Sequence, residues 1–154
     1  MESVSQVIFA LDRMVEINDQ RFRLYKSLSD KCRELEMRLF FMQYAVQAQT
    51  FNATLTKWRN AYGAPLHNVK RESLFVTTMG QIKKMVGGRN YILRECEEME
   101  SNAIKTYQTA LALSFLPSST VEDIAKQSDE LEKVRYTLRA IRENGAHQWE
   151  AAFA

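Results

Sequence analysis

The sequence predicts an all-α protein: one four-helix bundle with a long crossover between its second and third helices. Three observations predict it. Glycine and proline are scarce, five and two in 154 residues, and most fall in a few breaks: "AYGAPLHN", "MVGGRN", "FLPSST" and "ENGAH". Such residues punctuate a chain rather than run through helices. Between the breaks, apolar residues recur three and four positions apart, and no stretch sustains the period of two that strands require. Four long amphipathic helices bury their apolar stripes best against one another.

The first helix is expected from about Val4 to Lys31, with Val4, Ile8, Leu11, Val15, Phe22 and Tyr25 facing inward. The second runs from about Leu35 to Ala61 and carries Phe40, Val46, Phe51, Thr54, Leu55 and Trp58. The third covers about Asn90 to Phe115. The fourth follows "PSSTVED", where Ser119 or Thr120 can cap the helix and Glu122 or Asp123 can complement its dipole. It continues through Ile124, Leu131, Val134, Leu138 and Ile141 to about Asn144. These helices would each be roughly 33–42 Å long at 1.5 Å per residue. Short links make antiparallel hairpins of helices one and two and of helices three and four. The link from Tyr62 to Arg89 is about 28 residues long. Its own amphipathic piece, "RESLFVTTMGQIKKMV", is read as a short extra helix. A link of that length can cross the bundle and leave helices two and three parallel, which is ferritin-like connectivity.

Each stripe is interrupted near its middle. Leu93, Glu97, Glu100, Ile104, Tyr107 and Leu111 form the third helix's inward row, yet two of the six are carboxylates. Asn18 interrupts the first helix and Gln47 the second, and Ser128 with Glu130, Glu132 and Arg135 lies near mid-height on the fourth. The implied feature is a polar layer inside the bundle, with Tyr25 and Tyr107 sending hydroxyls into it. A buried carboxylate costs several kcal/mol unless paired or metal-bound. Its partner is expected to be Arg23 or Arg135. The alternatives are a metal, or a rotated stripe that lets the acids reach solvent. A di-iron bundle needs Glu-x-x-His on two of its helices. No Glu-x-x-His occurs, and His67 and His147 lie in the long link and the C-terminal tail. The nearest echo is Glu132-x-x-Arg135.

Several stretches together resemble an uncharacterised bacterial family of ferritin-like four-helix-bundle proteins. They are "LDRMVEINDQRFRLYKSL", "LFFMQYAVQAQTFNATL" followed by "YGAP", "YILRECEEMESNAIKTYQTAL", "LP" and "QSDELEKVRYTLRAIRE". The resemblance spans about Val7 to Glu143, and "ILxECExxE…Y…AL" is its most specific part. It implies a ferritin-like fold and carries no established activity. Members often show an acid where this chain has Arg23. Their fourth helix commonly reads Glu…Ala-His-Asp where this chain has Glu130…Val134-Arg135-Tyr136. Met99 replaces their glycine between the acids of the third helix. Two positions that would ligate metal are thus arginines, and the site implied is a degenerate one.

Net charge is +2, from 21 basic and 19 acidic residues, so no global field favours nucleic acid. No apolar run approaches the roughly 18 residues of a membrane span. "MESVSQVIFALDRMVEIND" has neither a basic start nor a long apolar core, so a signal peptide is not expected and the cytoplasm is. Cys32 and Cys96 lack CxxC spacing and fall on apolar faces. Phe22, Tyr25, Phe40, Phe41, Tyr44, Phe51, Trp58 and Tyr62 are read as core rather than as a ligand pocket. Lys70, Arg71, Lys83, Lys84 and Arg89 are read as a solvated basic face on the long link. Residues 1–146 are expected to form the single domain, with 147–154 a tail whose Trp149 and Phe153 fold back or meet another subunit. The expected protein is a non-enzymatic structural or protein-interaction module with no cofactor and no resident metal. The runner-up is a carboxylate metal-binding protein, for iron storage or di-iron redox chemistry, using Glu97, Glu100 and Glu130. The partner expected is a second copy, through exposed apolar helix faces or the C-terminal tail, and neither nucleic acid nor a membrane is expected.

Overall fold

A computed structural model describes residues 2–64 and 89–144, all four of whose regular elements are α-helices. They are α1 (Glu2–Lys31), α2 (Leu35–Ala61), α3 (Arg89–Leu111) and α4 (Ser118–Asn144). The long link, with its expected short helix and most of its basic residues, and the C-terminal tail lie outside the described residues. So do His67 and His147.

The inward row of α1 is Val7, Leu11, Met14, Asn18, Arg21, Tyr25 and Leu28, all buried. Its spacing alternates four and three, the register of a left-handed helical pair. That of α4 is Thr120, Ile124, Gln127, Leu131, Val134, Leu138 and Ile141, with the same alternation. On α3 the expected row is buried from Leu93 through Tyr107, with Cys96, Ala103 and Ala110 beside it. Two expectations need correction. Val4 and Val46 are exposed, since the true stripe of α1 is rotated toward Val7 and that of α2 runs through Phe41, Ala45, Ala48, Leu55 and Arg59. The expected α4 caps, Ser119 and Thr120, lie inside the first turn. The helix starts at Ser118, Val121 N–H donates to the Pro117 carbonyl at 3.0 Å, and the buried Thr120 hydroxyl is 3.3 Å from that of Tyr62.

Cross-helix bonds give each helix its direction. Arg38, Gln47, Asn52 and Arg59 of α2 meet Ser29, Arg21, Val15 and Asp12 of α1 in turn, so the two are antiparallel. Arg21 and Asn18 meet Glu100 and Tyr107, which makes α3 antiparallel to α1 as well. It follows that α2 and α3 point the same way. Tyr107 meets Gln127 and Glu97 meets Arg142, so α4 is antiparallel to α3. Helices α1 and α2 pack most extensively and α3 packs on α4, while α2 and α4 touch only lightly.

A Schellman turn closes α2 on the side where the long link begins. Gly63 N–H donates to Asn60 O at 3.0 Å and Ala64 N–H to Arg59 O at 3.1 Å. That turn requires a left-handed residue, and Gly63 has φ +75°.

Two apolar clusters fill the bundle. One joins Leu24, Tyr25, Leu28, Phe40, Phe41, Leu93, Cys96, Leu138 and Ile141. The other joins Val7, Leu11, Met14, Leu55, Ile104, Tyr107, Ile124 and Leu131. The aromatic residues assigned to the core pack in or against these clusters. Cys32 is half-buried and Cys96 fully buried, both as free thiols.

Candidate functional site

Polar side chains lie at the level between the two clusters, and arginine is their hub. Arg21 is fully buried, as is Glu100 opposite it. Arg21 Nε donates to Glu100 Oε2 at 2.7 Å and Nη2 to Oε1 at 2.8 Å, a fork on a fork. Nη1 donates to Asn18 Oδ1 at 3.0 Å, and Nη2 also donates to Gln47 Oε1 at 2.7 Å. The guanidinium carbon lies 5.7 Å from the ring centres of both Tyr25 and Phe51. Aromatic faces attract the cation, and the low-dielectric surroundings strengthen each contact.

The network continues beyond the ion pair. Asn18 Nδ2 donates to Met14 O at 3.0 Å and to the Tyr107 hydroxyl at 2.7 Å. That hydroxyl donates to Gln127 Oε1, and Gln127 Nε2 donates to the backbone carbonyl of Phe51 at 3.2 Å. One hydrogen-bonded path thus runs from Glu100 through Arg21, Asn18, Tyr107 and Gln127 to Phe51, touching all four helices. An unsatisfied buried polar group is costly, so the path specifies helix register as well as holding charge.

Of the residues expected in the layer, Asn18, Gln47, Glu100 and Tyr107 come together there. Tyr25 is buried beside Glu100 and stacked on Phe41, but its hydroxyl makes no hydrogen bond of good geometry. Glu97 is buried near the α3–α4 seam, where Arg142 Nε and Nη2 both donate to it and Arg139 lies 3.6 Å away. Three expectations are overturned. Arg23 pairs with Asp19 one turn earlier at 3.4 Å, half-exposed on the α1 surface. Arg135 pairs with Glu132 at 3.4 Å, and Glu130 with Lys133 at 3.0 Å, both on the outer face of α4. Neither expected arginine reaches the core, because each lies off the buried four–three row of its helix. Arg21 and Gln127 were absent from the expected set, although each falls on the strict heptad continuation of its stripe. That continuation, Leu11–Met14–Asn18–Arg21–Tyr25, was the signal available.

Burial alone would lower the Arg21 pKa, but the charge and hydrogen bonds of Glu100 more than offset this and hold it above its ordinary value. Burial raises the phenols. Tyr25 is pushed well above the usual tyrosine value, first by burial and then by the Glu100 charge. Burial and the same charge raise Tyr44 to about 12. Burial likewise raises Tyr107, against an opposing hydrogen bond from Asn18. Each phenol holds its proton more tightly folded than unfolded. Their contribution to stability is therefore complete below pH 10 and is lost as pH rises through the folded values. Unfolding free energy should therefore fall as pH rises above 10, by at most about 1.4 kcal/mol per pH unit for each phenol. Urea unfolding at pH 9, 10 and 11 measures this, and an unchanged midpoint would contradict the buried placement of these tyrosines.

Among the described residues, no group of three or more His, Cys, Asp or Glu side chains is placed to hold a metal ion. No described helix is long and apolar enough to cross a membrane. Fold and site together define a class: a helical bundle whose core is divided by a buried, internally paired charged layer. No family model matches the chain, and no curated protein does.

Proposed function

We propose that this chain is a non-enzymatic, ferritin-like four-helix bundle that works as a structural or protein-interaction module. One observation carries the reading. Both carboxylate oxygens of Glu100, where a carboxylate-lined bundle would offer them to a cation, are engaged by the Arg21 guanidinium. A guanidinium supplies permanent charge and planar donors, so it meets the electrostatic need of a buried acid without leaving a coordination site. The remaining polar atoms of the layer are largely spent on one another, which suits a scaffold that fixes register. The shared direction of α2 and α3 supports the ferritin-like connectivity. The metal-binding alternative needs Glu97, Glu100 and Glu130 to converge, yet Glu130 is exposed beside Lys133 and Glu97 is held by Arg142. Elemental analysis of the purified protein should find no stoichiometric iron, manganese or zinc. One equivalent or more of tightly held transition metal would overturn the proposal.

A further inference from the structure

Helix α2 has a second apolar row that the bundle does not cover. Leu35, Leu39 and Val46 are 67%, 55% and 51% exposed. With Met42, half-buried against the core cluster, and the exposed Gln49 and Ala53, they form a four–three row about a third of a turn round the helix from Phe41, Ala45, Ala48 and Leu55. From Leu39 to Thr56 the helix has no charged residue, although 26% of the chain is charged. That uncharged face is about 27 Å long. Covering it would desolvate amides and hydroxyls but no ion.

Glu36 and Lys57 lie on one flank of this face, at its two ends and with opposite charge, while the exposed Arg38 lies on the other flank of the N-terminal end. Glu36 is exposed at the N-terminal end and Lys57 at the C-terminal end, and neither has an ion-pair partner among the described residues. Glu34 at the same end already faces Arg89 at 3.5 Å. A flank whose two ends carry opposite charge matches its own image turned through a two-fold axis.

We propose that a second copy of this chain docks on this face, the two α2 helices lying antiparallel about an axis near Val46. In that register Glu36 of each copy approaches Lys57 of the other. Leu39 meets the small Ala53, and Gln43 meets Gln49 within amide hydrogen-bonding reach. Val46 packs on its own symmetry mate. This inference names a partner for the interaction module proposed above, and rests on that reading only in taking the module to act by contact. Metal content tests that reading separately.

Sedimentation equilibrium and light scattering on the full chain should show a dimer at micromolar concentration. Val46→Glu places two like charges at the axis and should raise the dissociation constant about a hundredfold or more. Its circular dichroism should not change, because position 46 faces away from the core. Register is read by oxidative cross-linking in a Cys32→Ser background. Val46→Cys should give a covalent dimer, whereas Leu35→Cys should not link to itself. A monomeric wild-type chain overturns the proposal, as does a dimer indifferent to Val46→Glu. Self-linking at Leu35→Cys without linking at Val46→Cys overturns the antiparallel register.

Discussion

Glu100→Leu is expected to destabilise the protein by about 3–5 kcal/mol, because it leaves a permanent cation buried without its counter-charge. Arg21 would keep only two neutral acceptors, Asn18 and Gln47, and the Tyr25 and Phe51 rings. No rotation to solvent is open to it, since both members of the pair are fully buried. Arg21→Met should cost a similar amount by leaving the acid unpaired. The double substitution should cost much less than the sum, since replacing both charges removes both desolvation penalties. It should not reach zero, because Asn18 Oδ1 and Gln47 Oε1 also lose their donor. Urea unfolding of the four-member cycle, followed by far-ultraviolet circular dichroism, measures the coupling. An unchanged midpoint in Glu100→Leu would mean that the acid is not paired in the core, and the charged layer would not exist as described.

Tyr107→Phe is the second large effect expected, about 2–4 kcal/mol for the loss of one oxygen atom. The hydroxyl accepts from Asn18 and donates to Gln127, so its removal strands a buried donor on one helix and a buried acceptor on another. The ring volume stays almost the same, so packing contributes little. Tyr136→Phe, on a residue 76% exposed, is the matched control and should change stability by no more than about 0.5 kcal/mol. If the two substitutions behave alike, the path from Arg21 to Gln127 does not act as a connected unit.

The third helix was the most legible from sequence. A row with acids at two positions and leucine, isoleucine or tyrosine at the others can hardly be rotated without exposing Leu93, Ile104 and Tyr107 together. The first helix misled for the converse reason. Ile8 and Phe22 are apolar and Arg21 is charged, so hydrophobicity alone draws the stripe through the wrong neighbours. The second helix is apolar on two sides, which is why Val46 could pass for core while Ala45 and Ala48 form the real contact. Small residues there let α2 lie close to the bundle, a property of packing distance that hydrophobicity does not encode.

Periodicity and chain breaks determined the four helices of the described residues, most of their ends and the presence of a polar interruption, because those features depend on local geometry and on the cost of exposing apolar rows. Only the tertiary structure decided which arginine meets which acid. Arg21, Arg23, Arg135 and Arg142 carry the same charge and the same reach. What separates them is helix phase and the height at which each helix meets its neighbour, and those follow from all four stripes packing at once. Arg21 falls on a buried row at the level of Glu100, Arg142 reaches Glu97 at the α3–α4 seam, and Arg23 and Arg135 fall outside.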